Sequence, residues 1–200
     1  MKTTITKAAQ KGNQKKNKKD FEKAKQGLRD LFTGELKNIY WAEKALTKAI
    51  PKMIKNAADG ELIEVLNAHL ILTKEHVIRL EEVFYLIDEK SEDIKCEAVE
   101  VLISNAEQIM KKIKEETVRD EAIISAALKI EHYEIATYGT LCSFANTLGE
   151  NAASALLHAT LNEEKEADAK LSQIGELMEL ESVDADDVPD TFILIETKLK

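Results

Sequence analysis

Glu131 and Glu134 fall where a helix should present apolar residues to its neighbours. Reading every third and fourth residue gives Ile124, Ala127, Glu131, Glu134, Tyr138, Leu141 and Ala145, one face of a helix. An ionised carboxylate buried there without a partner is costly, so such groups are neutralised, paired with a cation or bound to a metal. The same intrusion recurs elsewhere. Glu43 shares a stripe with Leu28, Phe32, Leu36, Ile39, Leu46 and Ile50, while Glu164 and Asp168 interrupt the series Leu157, Leu161, Leu171 and Gly175. His69 and His76 share a face with Leu62, Leu66, Thr73, Leu80, Val83 and Ile87, with Leu72 and Arg79 beside it.

Each of these residues has a bland reading. A lone inward histidine is usually a satisfied core residue, which is how we read His69. For His76, nearer mid-helix and beside Glu75, ligand and structural roles stay open. Glu163 and Glu166 flank Glu164 and either turn inward or are solvated. Tyr138, Tyr40 and Trp41 read as core aromatics, with a hydrogen bond to a ligand or an electron relay as the alternatives for all three. Buried ion pairs could account for the acids only if enough cations faced them. Arg79 is the one arginine inside a stripe, and histidines are weakly charged at neutral pH, so a metal is the better balance. Carboxylates from facing helices with one or two histidines suit a pair of iron or manganese ions, which prefer oxygen ligands and tolerate carboxylate bridges.

The elements that must position these residues are helices. Helix one is predicted from Lys25 to about Ala58, with Pro51 inside it and Asp59-Gly60 as its stop, and helix two from Glu61 to about Asp88. A polar connector, Glu89 to Lys95, leads into a shorter amphipathic helix from Ala98 to Lys114 through Val101, Leu102, Ala106, Ile109 and Ile113. Helix four follows with Asp120 in its first turn and ends near Leu148-Gly149; helix five spans about Asn151 to Glu179. The expected fold is all-α: two antiparallel hairpins joined by a crossover helix, making a four-helix bundle whose stripes meet on one axis. The bundle domain is expected over residues 25–180. It lies between a basic, disordered tail at 1–24 and an acidic then apolar extension at 181–200 containing Phe192-Ile193-Leu194-Ile195.

Two hundred residues suit one domain with a substantial core. The net charge of −9 conceals an asymmetry, because residues 1–19 carry seven lysines and no acid. That tail reads as solubilising, with contact to nucleic acid or another anionic partner as the alternative. Cys96 and Cys142 have no zinc or disulfide spacing, no apolar run approaches the roughly 20 residues of a membrane span, and no secretion signal is evident, so a cytoplasmic location without membrane contact is expected.

Several segments resemble the YciF-like bacterial stress-response proteins of the ferritin-like superfamily. They are Ala42-Glu43-Lys44-x-Leu46 with Ala49-x-Pro51-Lys52, Ala68-His69-Leu70-x-x-Thr73 with Arg79-Leu80-Glu81, Glu131-His132-Tyr133-Glu134-Ile135-Ala136-x-Tyr138-Gly139-Thr140-Leu141, and Thr160-Leu161-x-Glu163-Glu164-Lys165-x-x-Asp168. The resemblance spans about residues 26–180. It implies a ferritin-like bundle with an added crossover helix, usually a homodimer, and a dinuclear metal centre. Members often carry a Glu just before the threonine of helix two, where this chain has Leu72, and an Asp where it has Asn38. With Leu72 there, a single metal ion is the alternative to two, unless Glu75 or His76 compensates.

The expected ligands are Glu43, His76, Glu131, Glu134, Glu164 and Asp168, with Glu75, His69 and Glu163 as further candidates. The expected function is iron handling or reduction of peroxide or oxygen by a dinuclear iron or manganese centre in stress response; whether turnover occurs stays open. The alternative is a non-enzymatic helical dimer acting as a structural or interaction protein through its basic tail.

Overall fold

The computed structural model describes the backbone of residues 2–182 and the side chains of residues 19–177. Five helices follow in order, α1 (Lys2–Asn56), α2 (Gly60–Leu86), α3 (Glu97–Lys112), α4 (Glu116–Leu148) and α5 (Asn151–Ser182). The chain is an all-α ferritin-like bundle: α1 packs on α2 and α4, α5 packs on α2 and α4, and α3 lies outside against α1 and α4. Phe32, Leu36, Ile39, Leu46 and Ile50 of α1 meet Leu62, Leu66, Leu80 and Val83 of α2 and Tyr138 and Leu141 of α4 in one core.

Turn chemistry sets the ends of these helices. Asp59 caps α2 by accepting from the Leu62 N–H at 2.8 Å, and Glu115 caps α4 by accepting from the Thr117 and Val118 N–H groups. Gly149 stops α4 at φ 84°, where a side chain would be strained, and the Glu150 N–H closes on the Ala145 carbonyl at 2.9 Å.

Three expectations about these elements are corrected. Helix α1 extends back to Lys2, through residues expected to form a disordered tail. Alanine, lysine and glutamine there are good helix formers, and no proline interrupts them. Asp120 is not a first-turn residue answering the dipole of α4. It is buried, and its carboxylate accepts from the N–H groups of Ala58 (3.0 Å) and Asp59 (2.7 Å) while Arg119 Nε donates to the Asn56 carbonyl at 2.7 Å. These two residues clamp the α1–α2 turn onto the start of α4, so α4 runs antiparallel to α1. On α3 the buried residues are Val99, Ala106 and Met110, whereas Val101 and Ile109 face outward.

The connector before α3 is tied to α1 by the Ile94 N–H on the Lys37 carbonyl at 3.1 Å and by ion pairs Lys37–Glu92 and Lys44–Asp93. Residues 183–200, including the Phe192–Ile195 patch, lie outside the described residues. Among the described residues no helix is long and apolar enough to cross a membrane.

Candidate metal centre

Midway along the bundle, four helices turn acids and histidines inward. Helix α1 supplies Glu43, α2 supplies His69 and His76 two turns apart, α4 supplies Glu131 and Glu134, and α5 supplies Glu164; all six are buried. Among the described residues their ligand atoms form two groups, each with every atom within 4.8 Å of the others: His69 with Glu131, Glu134 and Glu164, and Glu43 with His76 and Glu164. Glu164 belongs to both.

Within the first group His69 Nε2 lies 3.1 Å from Glu131 Oε1. In the second, His76 Nδ1 lies 2.9 Å from Glu164 Oε1 and 3.4 Å from Glu43 Oε1. These contacts at His76 are short but not aligned as hydrogen bonds, and of the nine buried side-chain atoms without a hydrogen-bond partner among the described residues, seven belong to these two groups: His69 Nδ1, His76 Nδ1, Glu131 Oε2 and both carboxylate oxygens of Glu134 and Glu164; the other two are Thr33 Oγ1 and Asp168 Oδ1. A buried polar atom left so is destabilising by about 1–3 kcal/mol, more when charged. Their concentration at one point is the signature of a site built to hold cations.

The cage limits its own charge through protonation. Burial, reinforced by Glu164 and other acids nearby, drives the Glu131 and Glu134 carboxyls well above the usual range. Burial also raises Glu43, against the opposing influence of His76. Burial holds His69 neutral, below its ordinary value. For His76 burial acts the same way, but the Glu164 and Glu43 carboxylates overcome it and push the ring up to about 10. Burial raises Glu164 too, yet His76 and then His69 outweigh it and hold that carboxyl low. The result is protons standing where cations would otherwise sit.

A second layer surrounds the cage. Tyr138, fully buried, donates its hydroxyl to Glu43 Oε1 at 2.5 Å. His76 Nε2 lies 2.9 Å from Glu163 Oε2; Arg79 donates to both oxygens of Glu163, at 2.5 and 3.0 Å, and to Thr160 Oγ1 at 2.7 Å. Thr73 Oγ1 donates to the His69 carbonyl at 2.9 Å.

The structure thus brings together Glu43, His76, Glu131, Glu134 and Glu164 as the sequence suggested, and with them His69, a further candidate for which the core reading was favoured. The signal was its place on one stripe with His76, seven residues and two turns away. Asp168 stands outside both groups, half-buried, its Oδ1 2.9 Å from Nε2 of the exposed His132. Glu75 is exposed, because the residue after Lys74 falls on the outer face of α2. Glu163 is also outside both groups, drawn outward by Arg79.

Compared with known proteins, residues 27–183 match the family described as a domain of unknown function, DUF892. Protein YciF of Escherichia coli (strain K12) is 39% identical over 149 residues, 74% of this chain and 90% of that protein. The solved structure of the E. coli stress protein YciF aligns with a TM-score of 0.73 at 38% identity, covering 76% of this chain and 96% of that one. YcfI of Rhodopseudomonas palustris, described as a candidate structural protein, aligns with a TM-score of 0.71 at 41% identity over 72% of this chain and 92% of that one. A Xanthomonas campestris protein at 18% identity and TM-score 0.61 shares the fold alone.

Proposed function

From the premise that this chain belongs to the DUF892 family, we propose that it is a ferritin-like protein holding a carboxylate-bridged pair of iron or manganese ions. The observation that carries this reading is the set of unpartnered, buried carboxylate and imidazole atoms converging from four helices. The donors fit: oxygen-rich, with two nitrogens, and negative enough to need more than one positive charge. Glu131, Glu134 and His69 would hold one ion, Glu43 and His76 the other. Glu164, common to both groups, would be the residue shared between the two ions.

A metal pair bound there supplies one-electron redox chemistry toward oxygen or peroxide. The protein's own contribution is to hold its carboxylates in a water-poor core and to keep a tyrosine hydroxyl on Glu43, where it orients the ligand. The stress-response role draws on the relative described as a stress protein. The test is metal analysis of protein produced with iron or manganese supplied, alongside a chain carrying Glu131→Ala and Glu164→Ala. About two ions per wild-type chain are expected, and none tightly held in the variant. Trace metal unchanged by the substitutions would refute the reading.

The protein is further read as a cytoplasmic homodimer. Cys96 and Cys142 are buried free thiols, as in a reducing compartment, and Ile71, Ile78 and Tyr85 stand exposed at seven-residue intervals on the outer face of α2. Sedimentation of the wild type and of Ile78→Lys tests the dimer; a wild-type monomer would exclude it.

A second reading, a non-enzymatic interaction protein, is favoured by the lysine-rich residues 1–19 and by the description of YcfI. Deleting residues 1–19 and measuring DNA binding across salt concentrations tests it. An unchanged affinity and salt slope would remove that segment as the binding element.

A further inference from the structure

The two ring nitrogens of His76 meet different surroundings. Nδ1 faces the cage, 2.9 Å from Glu164 Oε1, without the alignment of a hydrogen bond. Nε2 faces the other way and makes a 2.9 Å hydrogen bond with Glu163 Oε2. Glu163 is itself gripped: Arg79 Nη1 donates to Oε2 at 2.5 Å, Arg79 Nη2 donates to Oε1 at 3.0 Å, and Nη1 also reaches Thr160 Oγ1 at 2.7 Å. His76 and Arg79 sit three residues apart on α2, and Thr160 and Glu163 three apart on α5. The network therefore closes between one turn of each helix.

A carboxylate behind a ligating imidazole fixes which nitrogen carries the proton and which way the ring turns. A guanidinium fork that occupies both oxygens of that carboxylate removes its freedom to swing elsewhere. We propose that Glu163, locked by Arg79, is a positioning residue that commits His76 to bind metal through Nδ1, and is not itself a ligand.

This inference rests on the metal-binding reading above. Two further observations separate positioning from direct ligation. Glu163 belongs to neither group of converging ligand atoms. Its side chain keeps 28% of its surface exposed, against 1% for the adjacent Glu164 that enters both groups. The consecutive acids of α5 thus divide the work, one pointing into the cage and the other lying behind its histidine. The charge on Glu163 is already balanced by Arg79, so orienting His76 adds little negative charge to a cage with an excess of it.

The test uses the whole chain with Zn²⁺ as a diamagnetic probe. Proton–nitrogen correlation spectra of the Zn²⁺-loaded wild type should show His76 protonated at Nε2 and shifted by metal at Nδ1. Glu163→Ala should weaken Zn²⁺ binding about 10–100-fold. Glu163→Gln, whose amide oxygen still accepts from Nε2–H, should recover most of that loss. Arg79→Met should lose less, and adding it to Glu163→Ala should weaken binding no further, because both act through one ring.

Metal on Nε2, wild-type affinity in natively folded Glu163→Ala, or a Glu163→Gln loss as large as that of Glu163→Ala would overturn the proposal. Should Glu163→Ala fail to fold, the wild-type spectrum and the Gln variant still decide. A wild type that takes up no Zn²⁺ overturns the metal-binding reading as well, whereas normal uptake with unaffected variants overturns this inference alone.

Discussion

The Tyr138 hydroxyl of α4 donates to Glu43 Oε1 of α1 at 2.5 Å, inside a core where neither side chain meets solvent. Glu43 is the single acid that α1 contributes to the cage, and this is the neutral donor that holds it. Tyr138→Phe keeps the ring and its packing but leaves a buried carboxylate oxygen with one partner fewer. The expected cost to the metal-free protein is about 1–3 kcal/mol. It should be smaller once Mn²⁺ occupies the cage, since a cation satisfies the same oxygen. Chemical denaturation with and without Mn²⁺ measures both; equal stability of variant and wild type without metal would show that the bond contributes nothing.

The pH dependence of the metal-free protein follows from the same cage. His76 rises from 6.5 to about 10 on folding. Its stabilisation is fully present below pH 6.5 and is lost as pH climbs through 10. Glu131 and Glu134, raised well above 4.5 by burial, are neutral in the fold over a range where they ionise in the unfolded chain. They too favour folding less as pH rises above 4.5. Glu164, held low in the fold chiefly by His76 against the effect of burial, acts oppositely: its stabilisation is present above 4.5 and lost as pH falls below it.

Between pH 6 and 9 the chelator-treated protein should therefore lose stability. Cations replace protons, so apparent Mn²⁺ affinity should increase over the same interval. Denaturation midpoints at several pH values, with chelator and with Mn²⁺, check this. Metal-free stability that is flat or rising from pH 6 to 9 would contradict it.

Much of this site was legible because period and charge disagreed. Glu43, Glu131, Glu134 and Glu164 each occupy a position that the 3.6-residue repeat assigns to the core, and buried charge is rare enough to be informative. What escaped was what side-chain direction and partner choice decide. Glu163 and Glu164 are neighbours in sequence, yet only the structure shows Arg79 taking the first and the cage taking the second. Asp168 shares the stripe of Glu164, but His132 lies beside it at the margin of the site. His69 looked like an ordinary core histidine because its partners come from α4 and α5, more than sixty positions along the chain. The first residues of α1 are not legible as helix because a lysine-rich composition is shared by tails and by helices.

Asp120 offers a prediction that should leave the metal untouched. Its carboxylate satisfies the N–H groups of Ala58 and Asp59 at the α1–α2 turn and is buried in doing so. Asp120→Ala strands both donors, at an expected loss of about 3 kcal/mol. Asp120→Asn, which keeps one acceptor oxygen, should lose less. Urea denaturation gives the first quantity and metal analysis the second. A loss of bound metal in a folded Asp120→Asn chain would mean that the turn also sets the cage geometry.

Shared ligation makes the sharpest distinction between one ion and two. Glu164 belongs to both groups of ligand atoms, whereas Glu43 belongs to one and Glu134 to the other. If each group holds an ion, Glu164→Ala should abolish tight binding altogether, while Glu43→Ala and Glu134→Ala should each leave about one ion per chain. Helix α2 carries Leu72 and no inward carboxylate, so its share of the ligation falls to His69 and His76, one to each group. His69→Ala should then weaken the ion at Glu131 and Glu134 while sparing the one at Glu43, and His76→Ala should do the reverse. Metal content after dialysis against graded chelator, measured on the wild type and these five variants, reads the pattern directly. Loss of both ions from Glu43→Ala, or one ion in the wild type that survives Glu164→Ala, would reduce the centre to a single site.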